Sequence, residues 1–282
     1  MLQLTKIARE AETGASGPFE AVHAFWLAGM SCDGCTIALT GATAPSLEQL
    51  LGGLLPGCPR LVLHHPMLSE SGQFVRDFTR AAEGTLGAPY VVVYEGSVAD
   101  ERIAGATSGC WSALGVELAD GRERSVPTAE WLKRLAPGAA AVVSIGTCAT
   151  KGGFPASAGN VTGAMSVTAF LGEGYVSTLG FPVVNVHGCP PVGNTFTTTV
   201  AAILLGLGGF APLPAFDEKG QPVQDSLRAV SELVDELCAP TGEDERLLRV
   251  PDEWRADSDE LRSRREEGHG VAAAAVLLEQ PE

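Results

Sequence analysis

The sequence predicts an open, doubly wound α/β sheet with helices on both faces, followed by an acidic, mostly helical or irregular C-terminal extension. Three observations carry that prediction. Short apolar runs of strand length recur through the first two hundred residues; most are valine-rich and none alternates strictly, as strands buried on both faces require. Stretches of helical spacing lie between them, the pattern of βαβ units. The charge is lopsided: 18 of the 34 acidic residues fall in 217–282, against only 8 bases there.

The elements follow in chain order. Residues 21–28 (AVHAFWLA) open the sheet, 35–55 have helical spacing, and 60–64 (RLVLH) form a second strand. A helix is expected over 70–84, entered through Ser71-Gly72-Gln73 and packed through Phe74, Val75, Phe78 and Ala82. The run 89–94 (PYVVVY) is the next strand, and Pro127-Thr128 opens a helix over 128–135 that carries Trp131, Leu132 and Leu135. Strands at 139–145 (AAAVVSI) and 181–186 (FPVVNV) flank a helical stretch at 162–172. The most apolar segment, 195–213, begins with four threonines in five positions, so it reads as a buried helix from Thr195 to about Leu207, ended by Gly208-Gly209. No transmembrane segment is expected. These boundaries divide the chain into an N-terminal arm (1–20), an α/β domain (21–210) and the acidic extension (211–282).

Composition narrows the function. A hydrophobic fraction of 45% and a charged fraction of 19% describe an ordinary globular chain. A formal charge of −15 opposes nucleic-acid binding, which needs Lys and Arg at phosphates. Seven cysteines are odd in number and too sparse for a disulfide scaffold. The first twenty residues hold neither an apolar leader core nor a twin-arginine pair, so the cytoplasm is the expected compartment.

Ligands of open α/β sheets bind beyond the carboxyl ends of the strands. There the first strand delivers Gly29-Met30-Ser31-Cys32-Asp33-Gly34-Cys35, and the run 89–94 is followed by Glu95-Gly96-Ser97. The last two strands deliver Gly146-Thr147-Cys148 and His187-Gly188-Cys189-Pro190-Pro191. Cys32, Cys35, Cys148 and Cys189 are thus expected at one edge of the sheet. Four thiolates suit a structural zinc or an iron–sulfur cluster. One close pair joined by two distant cysteines fits a cluster better than zinc, whose sites usually use two close pairs. A redox dithiol at Cys32-Cys35 alone would leave Cys148 and Cys189 without a role. Gly34, Gly146 and Gly188 let backbone approach bridging sulfides, and Pro190-Pro191 stiffens the segment after the last ligand. Cys58, Cys110 and Cys238 read as small packed residues.

The segment from Phe25 to Thr36 resembles the opening of nickel–iron hydrogenase small subunits. The similarity continues through His65-Pro66, Glu95-Gly96, Gly146-Thr147-Cys148-Ala149 with Gly152-Gly153, Asn160-Val161-Thr162-Gly163 and Gly188-Cys189-Pro190-Pro191, over about residues 22–205. The resemblance implies a flavodoxin-like domain whose four cysteines, Cys32, Cys35, Cys148 and Cys189, hold one proximal [4Fe-4S] cluster. It also implies a large-subunit partner carrying the Ni-Fe centre, further electron-transfer subunits or a higher oligomer, and hydrogenase activity of the whole complex. Beyond Asp217 only Cys238 and His269 remain, too few for two further clusters, so a single-cluster subunit is expected. Glu95 is then a candidate proton relay or interface residue; Thr147 and His187 are candidate neighbours of the cluster, with His187 donating to a sulfide. Adjacent His64 and His65 point apart and are not a metal pair. Two rival readings are a cluster subunit of a complex I-like quinone oxidoreductase, which generally shows an adjacent cysteine pair, and a non-catalytic H2-sensing subunit.

Overall fold

The valine-rich runs pair side by side in the computed structural model, which describes residues 19–237 except 56, 68–70 and 106–108. These fall in one compact unit, Met1–Cys238. The arm up to residue 18, Cys238 and the acidic stretch 241–267 lie outside the described residues. Five strands build the main sheet: β1 (Ala21–Ala28), β2 (Arg60–His64), β3 (Tyr90–Glu95), β6 (Ala141–Ile145) and β7 (Val184–Val186). Their spatial order is β2-β1-β3-β6-β7, every pairing parallel. That is the flavodoxin-like order, whose switch point lies between β1 and β3.

Alternation along each strand sends neighbours to opposite faces. Trp26, Val91, Val93, Val143 and Ile145 pack on one face with α8 (Gly193–Leu207) and α9 (Gln224–Leu237). Phe25, Leu27, Val92, Tyr94 and Val142 pack on the other with α3 (Ser71–Ala82) and α5 (Thr128–Leu135). Helix α8 is buried from Phe196 to Leu205, as its composition requires. Among the described residues no helix is long and apolar enough to cross a membrane.

Several boundaries differ from expectation for identifiable reasons. The stretch 35–55 forms two short helices, α1 (Gly34–Leu39) and α2 (Leu47–Gly52). Pro45 between them has no N–H to continue a helix, and Ser46 with Gln49 closes a capping box that starts α2 afresh. Strand β7 keeps only Val184–Val186, because Pro182 cannot donate to a ladder. The helix expected over 162–172 shrinks to α7 (Val167–Leu171), since Met165 pairs with Val98 and Ser166 caps the helix. A hairpin of β4 (Ala113–Ala119) and β5 (Arg122–Pro127) was not anticipated. It turns at Asp120 and Gly121, both at positive φ (52° and 75°), the tight Asp-Gly connection of antiparallel strands.

Residues 211–237 return to the same core. Asn185 donates to the Lys219 carbonyl at 2.7 Å and its own N–H to Gly220 at 2.7 Å, while Leu227, Val230 and Val234 of α9 are buried beside α8. The compositional boundary at 210 therefore falls inside continuous packing.

Candidate metal centre

Three turns at the carboxyl edge bring the four cysteines to one place. The first leaves β1 through Met30, which pairs with Ser97, and enters α1 at Asp33, held at φ 59° with its N–H on Ser31 Oγ at 3.0 Å. The second runs from β6 straight into α6 (Gly146–Lys151), so Cys148 sits in its first turn. The third follows β7, and Thr147 ties it down by donating N–H and hydroxyl to the Gly188 carbonyl at 2.7 and 3.0 Å.

Cys32, Cys35, Cys148 and Cys189 line one cavity of about 50 Å³, with Ser31, Gly34, Glu95, Gly96, Thr147, Gly188 and Pro190. Glycine makes the room. A Cβ on Gly146 (φ 86°) would stand 2.5 Å from Cys35 Sγ, and one on Gly153 (φ 56°) would stand 2.5 Å from Cys148 Sγ. Gly153 was not singled out as a site residue, although it stands only five positions after Cys148, at φ 56°.

The electrostatics of the cavity favour a positive occupant. Burial, then Glu95 and the other three thiols, push Cys35 up to about 12. Burial and Cys189 also raise Cys148, while hydrogen bonds from Ser97 and the Phe154 N–H draw it back. Four soft sulfur donors around one small cavity, disfavoured as bare thiolates, match iron or zinc chemistry. Zinc would hold its sulfurs at about 2.3 Å from one point. The four cysteines line the cavity together.

Glu95 is 1% exposed and accepts three hydrogen bonds: Cys35 N–H at 3.1 Å, Trp26 Nε1–H at 3.2 Å and the Thr36 hydroxyl at 2.5 Å. Sequence reasoning reached Glu95 but not the parts played by Trp26 and Thr36, which donate to it, or by His65, which meets Thr36. His64 and His65 do point apart: His64 stacks on Phe25, and His65 lies beside Trp26.

His187 does not fill its expected role. Its Nδ1 meets Thr150 Oγ1 at 2.8 Å and its Nε2 meets the Gln221 amide at 2.7 Å, so both ring nitrogens are occupied away from the cysteines. The ring lines a separate polar cavity of about 340 Å³ with Lys151, Tyr175 and Lys219. The ring is engaged by Thr150 and Gln221, partners that a strand-end position could not foretell. Cys58 is half-buried against the apolar core, whereas Cys110 is exposed and so is not the packed residue expected.

Residues 32–203 match the family of the NADH ubiquinone oxidoreductase 20 kDa subunit. The matched segment starts at Cys32 and contains all four site cysteines. The chain is 29% identical over 201 residues to the periplasmic [NiFeSe] hydrogenase small subunit of Desulfomicrobium baculatum, covering 70% of this chain and 60% of that one. It is 29% identical to the hydrogenase-2 small chain of Escherichia coli over 76% of this chain and 48% of the relative. The chain thus spans about half to three-fifths of these relatives' length. The solved actinobacterial-type NiFe-hydrogenase from Ralstonia eutropha H16 superposes with a TM-score of 0.69 at 39% identity, over 75% of this chain and 61% of that chain. A [NiFeSe]-hydrogenase structure from D. baculatum gives 0.58 at 30% identity, over 72% and 69%. The chain belongs to this family, as a small subunit of the nickel–iron hydrogenase kind. Hydrogenase small subunits therefore share with it the parallel α/β sheet on which the four cysteines are displayed.

Proposed function

We propose that this hydrogenase small subunit carries one [4Fe-4S] cluster on Cys32, Cys35, Cys148 and Cys189, and conducts electrons between a large-subunit Ni-Fe centre, where H2 is oxidised or evolved, and further redox partners. The observation that carries this reading is the meeting of four thiols from three strand-end turns around one cavity at the carboxyl edge. When bound, the cluster would supply reversible one-electron transfer.

The chain's own residues have separable tasks. The turns after β1, β6 and β7 present the sulfurs, Gly146 and Gly153 clear space behind two of them, and Thr147 locks the last two turns together. Glu95 holds the first helical turn and is the candidate to hold a proton or face the partner. Within residues 217–282, Cys238 and His269 are too few to hold a second cluster. The cytoplasm is the proposed compartment, where thiols stay reduced; the six described cysteines are all free. The acidic extension is proposed to hold partners together. Cys32-x-x-Cys35, where complex I-like subunits generally carry an adjacent pair, favours the hydrogenase reading over a quinone oxidoreductase.

Anaerobic purification of the full chain with its large subunit tests the proposal. About four irons per small subunit, broad visible absorption and loss of both in Cys148→Ala are expected. Colourless, zinc-containing protein would overturn it. Hydrogen turnover by the complex separates the enzyme from a sensing role.

A further inference from the structure

We infer that His65, Thr36 and Glu95 form a directed hydrogen-bond chain that positions Cys35, making all three positioning residues for the metal centre. The inference deepens the reading above and rests on it only for the role of Cys35 as a ligand.

The direction of the chain follows from its donors. The Met67 N–H donates to His65 Nδ1 at 3.2 Å, so Nδ1 is the unprotonated nitrogen and the ring proton sits on Nε2. Burial lowers the His65 pKa, which keeps the ring neutral and this tautomer in place. Nε2–H then donates to Thr36 Oγ1 at 3.2 Å. The threonine's one hydroxyl proton is left for Glu95 Oε2 at 2.5 Å. The Trp26 indole donates to that same oxygen, and Oε1 accepts the Cys35 N–H at 3.1 Å.

Two further observations say why such a chain is needed. Helix α1 begins without a side-chain cap of its own: Asp33 makes no capping hydrogen bond, so the N–H groups of the first turn depend on an outside acceptor. Glu95, at the end of β3, is that acceptor. Cys35 itself is half-buried with Gly146 beneath its sulfur, so a small rotation of the turn would move Sγ off the cavity. The end of β2, the start of α1, β1 and β3 thus converge on one carboxylate that is 1% exposed, and His65 is only 5% exposed. Removing the Thr36 hydroxyl would leave a buried imidazole N–H without its acceptor and Glu95 with one donor fewer. In a poorly solvated network each such loss is felt by the next member.

The test uses the full chain in two forms. In the metal-free form, alkylation of Cys35 by iodoacetamide is followed by mass spectrometry, with exposed Cys32 as internal reference. Thr36→Val is expected to raise the Cys35-to-Cys32 ratio about tenfold. Thr36→Ser, which restores only the hydroxyl, should return it to within about twofold of wild type. His65→Phe keeps a ring against Trp26 but removes the donor, and should behave like Thr36→Val. In the form reconstituted with iron and sulfide, the paramagnetic resonance spectrum of the reduced cluster should change in Thr36→Val and recover in Thr36→Ser. A Cys35 ratio unchanged in Thr36→Val, or unrestored by Thr36→Ser, overturns the positioning chain. Wild-type chain that takes up no iron overturns the cluster assignment instead, and the alkylation comparison still decides this inference.

Discussion

Gly146 is the position where a single methyl group should test the site most sharply. It opens α6 at φ 86°, directly beneath the Cys35 sulfur. Gly146→Ala adds two costs. An L-residue held in left-handed backbone costs about 1–2 kcal/mol. The new Cβ would also lie 2.5 Å from Cys35 Sγ, well inside contact distance, and relieving such overpacking costs about 1–3 kcal/mol more. Gly84 supplies the control: its φ is 70°, and nothing lies within 4 Å of a Cβ built there. Gly84→Ala should therefore show the backbone cost alone. Urea unfolding of the metal-free full chain measures both variants, and iron per chain after reconstitution measures the site. Gly146→Ala should be the less stable by about 1–3 kcal/mol, the steric part alone, and should hold less iron. Equal destabilisation of the two variants, or full iron in Gly146→Ala, would refute the argument that this glycine exists to admit the sulfur.

Other perturbations reach the scaffold. Burial pushes the His64 pKa down to about 4, whereas the unfolded chain binds that proton near 6.5. The unfolded state thus takes up more protons between these values, and stability should fall by up to ~3 kcal/mol as pH drops from 6.5 to 4. His64→Leu should flatten that part of an acid-unfolding curve; an unchanged slope would contradict it. Phe78 is fully buried and meets Phe25 and Trp131 edge-on at 4.7 and 5.2 Å, so Phe78→Ala should cost about 3–5 kcal/mol by urea unfolding. Arg134 pairs with Glu117 and Glu130 and lies 5.0 Å over the Trp131 ring, yet it is partly open to solvent. Arg134→Ala should cost only about 1 kcal/mol, less at high salt, because exposed ion pairs are screened.

The sheet and the cysteine edge were both legible in the sequence because each depends on local pattern. Unbroken valine-rich runs are what a strand buried on two faces must be, and β1 and β2 begin and end where their runs do. A cysteine just past such a run has to emerge at the carboxyl edge, so the neighbourhood of Cys32, Cys35, Cys148 and Cys189 followed. The hairpin at 113–127 left a local signal, Asp120-Gly121 between partly alternating segments, that could have revealed it.

Where each side chain goes once it reaches that edge is another matter. Strand-end position alone made His187 a neighbour of the cysteines, but the 217–221 turn supplies Gln221 and α6 supplies Thr150, and together they hold the ring in another cavity. Trp26, Thr36 and His65 lie in family-like segments, but nothing local pairs them: Trp26 and Thr36 reach Glu95, and His65 reaches Thr36, because β2 and β3 flank β1 in the sheet. The sequence by itself determined a parallel α/β sheet displaying four thiols at one edge, since hydrophobic periodicity and strand ends are properties of neighbouring residues. The tertiary structure decided that Gly146 lies under the Cys35 sulfur and that Glu95 holds the Cys35 N–H, because those contacts join residues more than a hundred positions and sixty positions apart, respectively, and only the order of strands brings them within reach.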